Sequence, residues 1–264
     1  MARRHNVGRN QLEAEGKTSV KHPRRLFAVS IAVLAATVLS GCSPSLGGPL
    51  TSRTPKAAVS VPPAPAPLPS VGTAATAIGP NVDVYTQPGE TVASTLANPQ
   101  AAGAPLTFLV TETKKGWLQV SLPNRPNGST GWIRPESVTL TRLEYRLEAS
   151  TKNNTLALYH DNDLVSTFSA ATGTGGTPTP HGSFYLTELL APTNDGYGPF
   201  AFGLSAFSDV LSSFGGGPGQ IGLHGTNDTA SIGRSTSHGC IRLSNADITT
   251  LAKLLPLGTP ITIT

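Results

Sequence analysis

Glycine and proline interrupt this sequence so often that long helices are excluded. The 28 glycines and 23 prolines make up nearly a fifth of the 264 residues, whereas they form roughly 12% of an average protein. Charged residues amount to 13%, about half of the usual share, so charge-rich coiled coils are excluded as well. Short apolar runs bounded by turn residues are typical of strands. We therefore predict a mainly β fold.

The basic residues are concentrated at the N-terminus, where they belong to a predicted export signal. Residues 1–41 contain seven Lys and Arg and two Asp and Glu, whereas the rest of the chain contains twelve and thirteen. The apolar run from Leu26 to Leu39 follows Arg24 and Arg25 and is shorter than the roughly 20 residues that span a bilayer. Loss of this segment leaves a nearly neutral chain, which argues against nucleic acid as a partner.

The signal ends in the letters LSGC, whose last residue is Cys42. This ending resembles the lipobox of bacterial lipoproteins and implies cleavage before Cys42, lipidation of its thiol, and a membrane-anchored location in the cell envelope, facing the cell wall. An uncleaved membrane anchor with an incidental cysteine is the alternative. Residues 42–78 form a predicted linker, with eight prolines between Pro44 and Pro69, because such a composition cannot bury a core.

Residues 79–141 are predicted to form a small β domain. Short strand-like runs alternate there with Gly, Pro and Asn breakers. The order GWLQV and then GWIR, beginning at Gly116 and Gly131, resembles bacterial Src-homology-3-like domains, which implies a small β-barrel. The rings of Trp117 and Trp132 either pack in the core of this domain or line a ligand groove.

Residues 143–264 carry the signals of a second, mainly β domain. Two apolar runs, 156–159 and 164–168, flank a polar turn and predict a hairpin. Ser244 is the predicted N-cap of a helix that ends before Pro256. Further strands are predicted over 183–189 and 261–264.

The segment 191–220 is rich in glycine and aromatic residues, and a segment of this length is usually functional or disordered. Leu204, Phe207, Leu211 and Phe214 have helical spacing, which predicts a short helix within it. Its aromatic side chains either form a lid over a substrate or pack against one another within the segment.

Cys240 has no disulfide partner if Cys42 carries lipid, which marks Cys240 as a candidate nucleophile. It lies sixteen residues after His224, in the stretch SHGCIRL, and a nearby imidazole makes a thiolate available near neutral pH. Gly239 allows close approach of a substrate, and the backbone N–H groups around it are candidate oxyanion donors. Arg242 shares a face with Cys240 if the strand continues, and its guanidinium suits a substrate carboxylate or peptide carbonyl.

The pattern HGT, a gap and then SHGCIRL, preceded by TPHGSF from Thr179, resembles the L,D-transpeptidases of bacterial cell walls. The resemblance spans most of residues 143–264 and implies a mainly β catalytic domain with Cys240 as nucleophile and His224 as its base. It also implies that the carbonyl of Gly225, where some relatives have serine, orients the imidazole. The implied oxyanion hole consists of the backbone N–H groups of His238, Gly239 and Cys240, with Ser237 as a supporting residue.

By this resemblance the substrate is the tetrapeptide stem of peptidoglycan. Cys240 attacks the carbonyl of the third residue, a diamino acid, and the terminal D-alanine leaves. A side-chain amine of a second stem then accepts the acyl group. Water as acceptor would make the chain a carboxypeptidase, and an envelope protein as acceptor would make it an anchoring enzyme; the sequence leaves these acceptors open.

Other classes of protein fit the sequence less well. A zinc site made of His224, His238 and Cys240 lacks a fourth ligand at a recognisable spacing, so no metal or cofactor is expected. Papain-like wall peptidases place the cysteine before the histidine, and sortases place their arginine far downstream of the cysteine, unlike Arg242. A non-catalytic lipoprotein that binds the wall is the main alternative from another class.

Overall fold

The computed structural model describes residues 71–214 and 216–264. Two large β sheets, one two-stranded sheet and one α-helix make up this part of the chain, apart from short 3-10 turns. The predicted export signal, Cys42 and most of the predicted linker lie outside the described residues. Within the described ranges, no helix is both long enough and apolar enough to cross a membrane.

The first sheet has seven strands, all paired antiparallel. They are β1 (Gly72–Ala77), β2 (Asn81–Tyr85), β3 (Val92–Ala97), β4 (Thr107–Lys114), β5 (Trp117–Ser121), β6 (Thr130–Ile133) and β7 (Val138–Leu143). The spatial order is β3-β2-β6-β5-β4-β1-β7. Burial alternates along β2, where Val82 and Val84 are buried and Asp83 between them is exposed, as expected for a strand with one face on a core.

The first strand begins inside the range 42–78, which the sequence indicates as linker. Its sequence GTAATA has no large apolar residue, so it carries only a weak strand signal. In the structure β1 nevertheless pairs with both β4 and β7, and Ala74 and Ala75 are buried. Pairing with distant strands therefore extends this domain to Gly72.

Trp117 and Trp132 pack inside the first sheet's domain. They are 7% and 2% exposed, which agrees with the core interpretation rather than with an open groove. The guanidinium of Arg134 lies 3.7 Å from the centre of the Trp117 ring, and the ammonium of Lys114 lies 4.5 Å from that of Trp132. Each of these cation–π contacts covers one face of its ring.

The second sheet has eight strands and holds the SHGC stretch at one edge. Its strands are β8 (Tyr145–Ser150), β9 (Thr155–His160), β10 (Asp163–Ser169), β12 (Gly182–Leu190), β13 (Ala201–Phe207), β14 (Gln220–Thr226), β16 (Ile241–Ser244) and β17 (Pro260–Ile263). The two short strands β11 (Thr172–Gly173) and β15 (Ser235–Ser237) form a separate pair. The order in the large sheet is β10-β9-β8-β17-β12-β13-β14-β16. Two of its pairs, β17 with β8 and β14 with β16, are parallel.

Helix α1 (Asn245–Leu254) follows β16 directly and packs on β14. Ser244 is its N-cap, because its hydroxyl oxygen accepts a hydrogen bond from the Asp247 N–H at 3.1 Å. Ile248 and Leu251 are the buried face of the helix. The predicted helix, the predicted hairpin and the two further strands are thus confirmed.

The helix predicted over Leu204, Phe207, Leu211 and Phe214 is wrong. The first two of these residues lie in strand β13, in the middle of the sheet, and the described residues from 208 to 219 contain no helix. Leu204 and Ala206 are fully buried between β12 and β14. Tertiary pairing with two neighbouring strands therefore overrides the helical spacing.

Candidate active site

Cys240 lies immediately before β16, beside the central part of β14. The parallel pairing aligns Leu223 with Ile241, which brings Gly222 next to Cys240. The N–H of Gly222 donates a hydrogen bond to Cys240 Sγ at 3.3 Å. Because this donor points at the sulfur, it stabilises negative charge that develops on the thiol.

His224 lies two residues further along β14 and is 3% exposed. Its Nδ1 is 2.6 Å from the carbonyl oxygen of Gly225. A carbonyl only accepts hydrogen bonds, so Nδ1 carries the proton and Nε2 is left as an acceptor. A Cβ built on Gly222 would lie 3.6 Å from His224 Cδ2 and 3.7 Å from Cys240 Sγ. The Cδ2 edge of the ring, whose next atom is Nε2, and the thiol therefore border the same small space.

Both groups are neutral at rest near pH 7. Burial lowers the pKa of His224 to about 4, with the Gly225 hydrogen bond raising it and the Arg242 charge lowering it further. Burial raises the pKa of the Cys240 thiol, although the Gly222 N–H and the Arg242 charge oppose this rise. The pair is therefore an uncharged acid and base, able to exchange a proton when a substrate arrives.

Gly225 has no room for a side chain. A Cβ at this position would lie 2.5 Å from Asn245 Oδ1 and 2.9 Å from Ile248 Cγ2, both on helix α1. Only a glycine lets the helix approach this closely. The contact with the imidazole comes from the backbone, so it does not need a side chain at position 225.

The SHGC stretch forms a turn held by two hydroxyl groups. Ser237 Oγ accepts a hydrogen bond from the Gly239 N–H at 3.1 Å and donates one to the Cys240 carbonyl at 2.5 Å. Thr179 Oγ1 donates to the Gly239 carbonyl at 2.8 Å. Gly239 has a φ of +121°, a conformation that a side chain would disfavour.

One of the three predicted oxyanion donors is already occupied in this turn. The Gly239 N–H is paired with Ser237 Oγ, whereas the resemblance implies that it faces the substrate. The backbone N–H groups of His238 and Cys240 are the other two predicted donors. The sequence pattern implies only that Ser237 is a supporting residue. In the structure its hydroxyl bridges the Gly239 N–H and the Cys240 carbonyl within the turn.

Arg242 lies near Cys240 and His224 without a charged partner among the described residues. It lines a pocket of about 230 Å³ together with His224, His238 and Cys240. Its Nε is buried and makes no hydrogen bond within the described ranges. An unpaired guanidinium in this position favours binding of a carboxylate or carbonyl group.

A larger cleft of about 430 Å³ opens from Cys240 toward strands β12 and β13. Tyr197 and Phe214, from the predicted aromatic segment, line both this cleft and the Arg242 pocket. The Tyr197 ring lies 4.5 Å from that of His224, and the Phe214 ring stacks at 5.2 Å on that of His238. These two aromatic residues therefore border the space around the thiol, while Phe202 is buried in the core.

The N-terminal domain holds the chain that carries Phe214. The side chain of Asn127 pairs with the backbone of Phe207, accepting from its N–H and donating to its carbonyl, both at 2.8 Å. The guanidinium of Arg125 donates to the carbonyls of Ser208, Leu211 and Pro218 at 2.8 to 3.2 Å.

We expect Asn127→Ala to loosen this connection. The change leaves the N–H and carbonyl of the largely buried Phe207 without their partners, so it should lower the free energy of unfolding by about 1–3 kcal/mol. Chemical denaturation measures this loss, and hydrogen exchange over 208–219 should become faster. Asn153→Ala, in an exposed turn of the second domain, is the control. Equal stability of the two variants would contradict the assigned role of Asn127.

Several features of this site have no signal in the sequence. The Gly222 N–H, the Thr179 hydroxyl and the Arg125 guanidinium all act through partners at least eighteen residues away. Their residue types are common, and only the pairing of distant strands and turns brings them to the site. The threonine of the TPHGSF pattern, Thr179, holds Gly239, and the sequence pattern gives no indication of this contact.

Comparison with known proteins gives a consistent family assignment. Residues 144–263 match the family model described as the YkuD L,D-transpeptidase catalytic domain. The chain is 38% identical over 122 residues to the YkuD protein of Bacillus licheniformis, whose name describes an L,D-transpeptidase, covering 46% of this chain and 67% of that one. It is 33% identical over 127 residues to the YqjB protein of Bacillus subtilis, also named for that activity, covering 43% and 67%.

Among solved structures, that of Bd1075 from Bdellovibrio bacteriovorus is 27% identical in sequence to the matched part of this chain, with a TM-score of 0.38. The match covers 46% of this chain and 48% of that one. An L,D-transpeptidase of Mycobacterium tuberculosis is 16% identical with a TM-score of 0.40, covering 53% and 74%. The family match lies in the C-terminal part of the chain, and the chain spans about two thirds of the length of these two curated relatives.

Proposed function

Since this chain belongs to the YkuD family of L,D-transpeptidase catalytic domains, we propose that it cross-links peptidoglycan stem peptides through a thioester on Cys240. The observation that carries the proposal is the arrangement around Gly222. Its N–H donates to the thiol, and the thiol and the His224 ring edge border the space beside it. This arrangement supplies a nucleophile, a base and a charge-stabilising donor at one place.

In the first step Cys240 Sγ attacks the carbonyl carbon of the third residue of a tetrapeptide stem. The thiol proton moves to His224 Nε2, which is free because Nδ1 donates to Gly225. A C–S bond forms and the carbonyl oxygen becomes an oxyanion. Collapse of this intermediate breaks the C–N bond to the terminal D-alanine, whose amine leaves with the proton from Nε2.

The oxyanion is stabilised by the backbone N–H groups of His238 and Cys240. Removal of one such donor costs about 2.7–4 kcal/mol of transition-state stabilisation in well-aligned cases. The N–H of Gly239 holds the turn through Ser237, which keeps the other two donors in place. Arg242 binds the carboxylate of the departing D-alanine, since its guanidinium lines the same pocket as Cys240 and has no charged partner among the described residues.

In the second step the side-chain amine of another stem attacks the thioester carbonyl. His224 Nε2 accepts a proton from this amine, the new C–N bond forms, and the C–S bond breaks. The proton returns to the thiolate, so Cys240 is restored as a thiol. Water or an amine of an envelope protein would react in the same way, giving a carboxypeptidase or an anchoring enzyme instead.

Product analysis on defined tetrapeptide fragments tests this function. The full chain is incubated with the fragments, and the products are identified by mass. Cross-linked dimers with loss of one D-alanine support the transpeptidase, and tripeptides alone assign the carboxypeptidase activity. Unchanged fragments, with no acyl mass on the protein, would contradict an enzymatic role and favour a wall-binding lipoprotein.

We further propose that Cys42 is lipidated and holds the enzyme at the membrane, facing the wall. The Pro-rich linker after it extends at roughly 3.1 Å per residue, so the catalytic domain reaches into the wall. The Src-homology-3-like interpretation of the first sheet belongs to this proposal as a wall-associated module. Mass analysis of the mature N-terminus tests the anchor, because a free Cys42 thiol would contradict it.

A further inference from the structure

One carboxylate in the cleft has no partner in the part of the chain that the structure describes. Glu188 lies on β12, is half-buried, and makes no hydrogen bond or ion pair with any described residue. It is the one residue with a charged side chain among the described residues that line the 430 Å³ cleft. A half-buried carboxylate without a cation or donor is costly, and the burial raises the pKa of Glu188.

Glu188 and Cys240 stand on the same face of the sheet, with two glycines between them. Glu188 pairs with Gly203 on β13, and Gly203 pairs with Gly222 on β14, which is next to Cys240. A Cβ on Gly203 would lie 2.6 Å from Glu188 Oε1, and a Cβ on Gly222 would lie 3.7 Å from Cys240 Sγ. The glycines therefore form an open floor between the carboxylate and the thiol.

The side chain of Gln220 lies next to the carboxylate, because a Cβ on Gly203 would meet both of them. Gln220 Nε2 donates to Leu204 O at 2.9 Å and to Thr187 Oγ1 at 3.1 Å, so both of its amide protons are used. Its Oε1 remains as an acceptor without a donor among the described residues. The point where a Gly203 Cβ would stand is 2.9 Å from Gln220 Nε2. Glu188 and Gln220 therefore leave acceptors and no free side-chain N–H here, which suits an ammonium group.

We infer that Glu188 binds the side-chain ammonium of the diamino residue in the donor stem. This inference rests on the proposed function, which places the carbonyl of that residue at Cys240. Neighbouring strands are 4.7–4.9 Å apart, so the backbones at Glu188 and Cys240 are roughly 14 Å apart. A flexible stem such as the four carbons of lysine carries an ammonium across part of that distance, and the Glu188 side chain extends over Gly203 to meet it.

The distance also excludes the amine of the acceptor stem as the group bound by Glu188. An attacking amine must come within about 3–3.5 Å of the thioester carbon, which is far from a carboxylate three strands away. Arg242 lies outside this cleft, in the smaller pocket that also includes Cys240, so the site has an anionic end and a cationic end. A donor stem whose ammonium lies at Glu188 and whose terminal carboxylate lies at Arg242 has only one orientation in the cleft.

The test compares two tetrapeptide donors that differ only in the side-chain amine of the third residue, free in one and acetylated in the other. The rate of acyl-enzyme formation is measured by intact mass on the full chain. The wild type should favour the free amine by roughly 10- to 100-fold, the range expected for a charged hydrogen bond. In Glu188→Gln this preference should fall to about twofold or less.

Glu112→Gln, at an exposed ion pair with Lys114 in the first sheet, is the matched control and should keep the wild-type preference. Glu188→Lys should reverse the selectivity toward a donor whose amine carries a succinyl group, because a carboxylate then meets a cation. An unchanged preference in Glu188→Gln, or no preference in the wild type, would overturn the assignment of Glu188 alone. If the wild type forms no acyl-enzyme with either donor, the proposed function fails first.

Discussion

Cys240→Ala should abolish both acyl-enzyme formation and cross-linking, while the protein stays folded. The side chain is partly exposed, and its replacement removes only one sulfur atom from the edge of the cleft. No other described cysteine is available to carry the acyl group. Intact mass after incubation with tetrapeptide donors, or with a carbapenem expected to acylate this family, should show no added mass on the variant.

Cys240→Ser is the accompanying variant, because its hydroxyl keeps the shape of the thiol and the contact with Gly222. Its proton is harder for His224 to remove, so activity should be very low rather than absent. Circular dichroism and thermal unfolding should match the wild type for both variants. Wild-type cross-linking by a well-folded Cys240→Ala protein would disprove the thioester mechanism.

His224→Gln should lower the acylation rate by roughly 10²- to 10⁴-fold, because the base that accepts the thiol proton is lost. The Cys240 thiol should still react with a small alkylating reagent. His238→Gln is the matched control, since His238 is exposed and stacks on Phe214. If His238→Gln is the more damaging change, the proton acceptor is His238 and the assignment of the base is wrong.

The same pair of variants tests the electrostatics of the site. The pKa of His224 is lowered to about 4 in the folded protein, whereas an unfolded histidine has a pKa near 6.5. The unfolded state therefore binds the extra proton first, and stability present above about pH 6.5 is lost as the pH falls toward 4, by up to about 3 kcal/mol. This loss should be absent in His224→Gln and retained in His238→Gln, as measured by chemical denaturation.

Acylation by the wild type should follow the same titration. Nε2 accepts the thiol proton only while the imidazole is neutral, so the rate should persist from pH 7 to about pH 5 and fall as the pH passes through 4. A fall centred near 6.5 would show that a solvent-exposed histidine, rather than His224, controls the reaction.

The sequence predicted those parts of the fold that depend on neighbouring residues. The hairpin over 155–169 follows from alternation around a polar turn, and helix α1 follows from the Ser244 cap and the apolar spacing after it. The sequence did not predict strand β1, because its alanines have little strand propensity. It also predicted a helix over Leu204 and Phe207, whose helical spacing is accidental because both residues lie in a central strand. In both cases pairing with distant strands decided the structure.

By itself, the sequence determined the mainly β class and the chemical identity of the candidate site. Cys240, His224, Gly239 and Arg242 were identified because they stand within, or at a fixed distance from, one short pattern. Only the tertiary structure decided what surrounds them. Strand register places Gly222 N–H on the sulfur and Glu188 at the far end of the cleft, and side chains of the first domain hold the segment that carries Phe214. The physical reason is that sheet register and contacts between domains join residues far apart in the chain, and no local pattern of residue types encodes them.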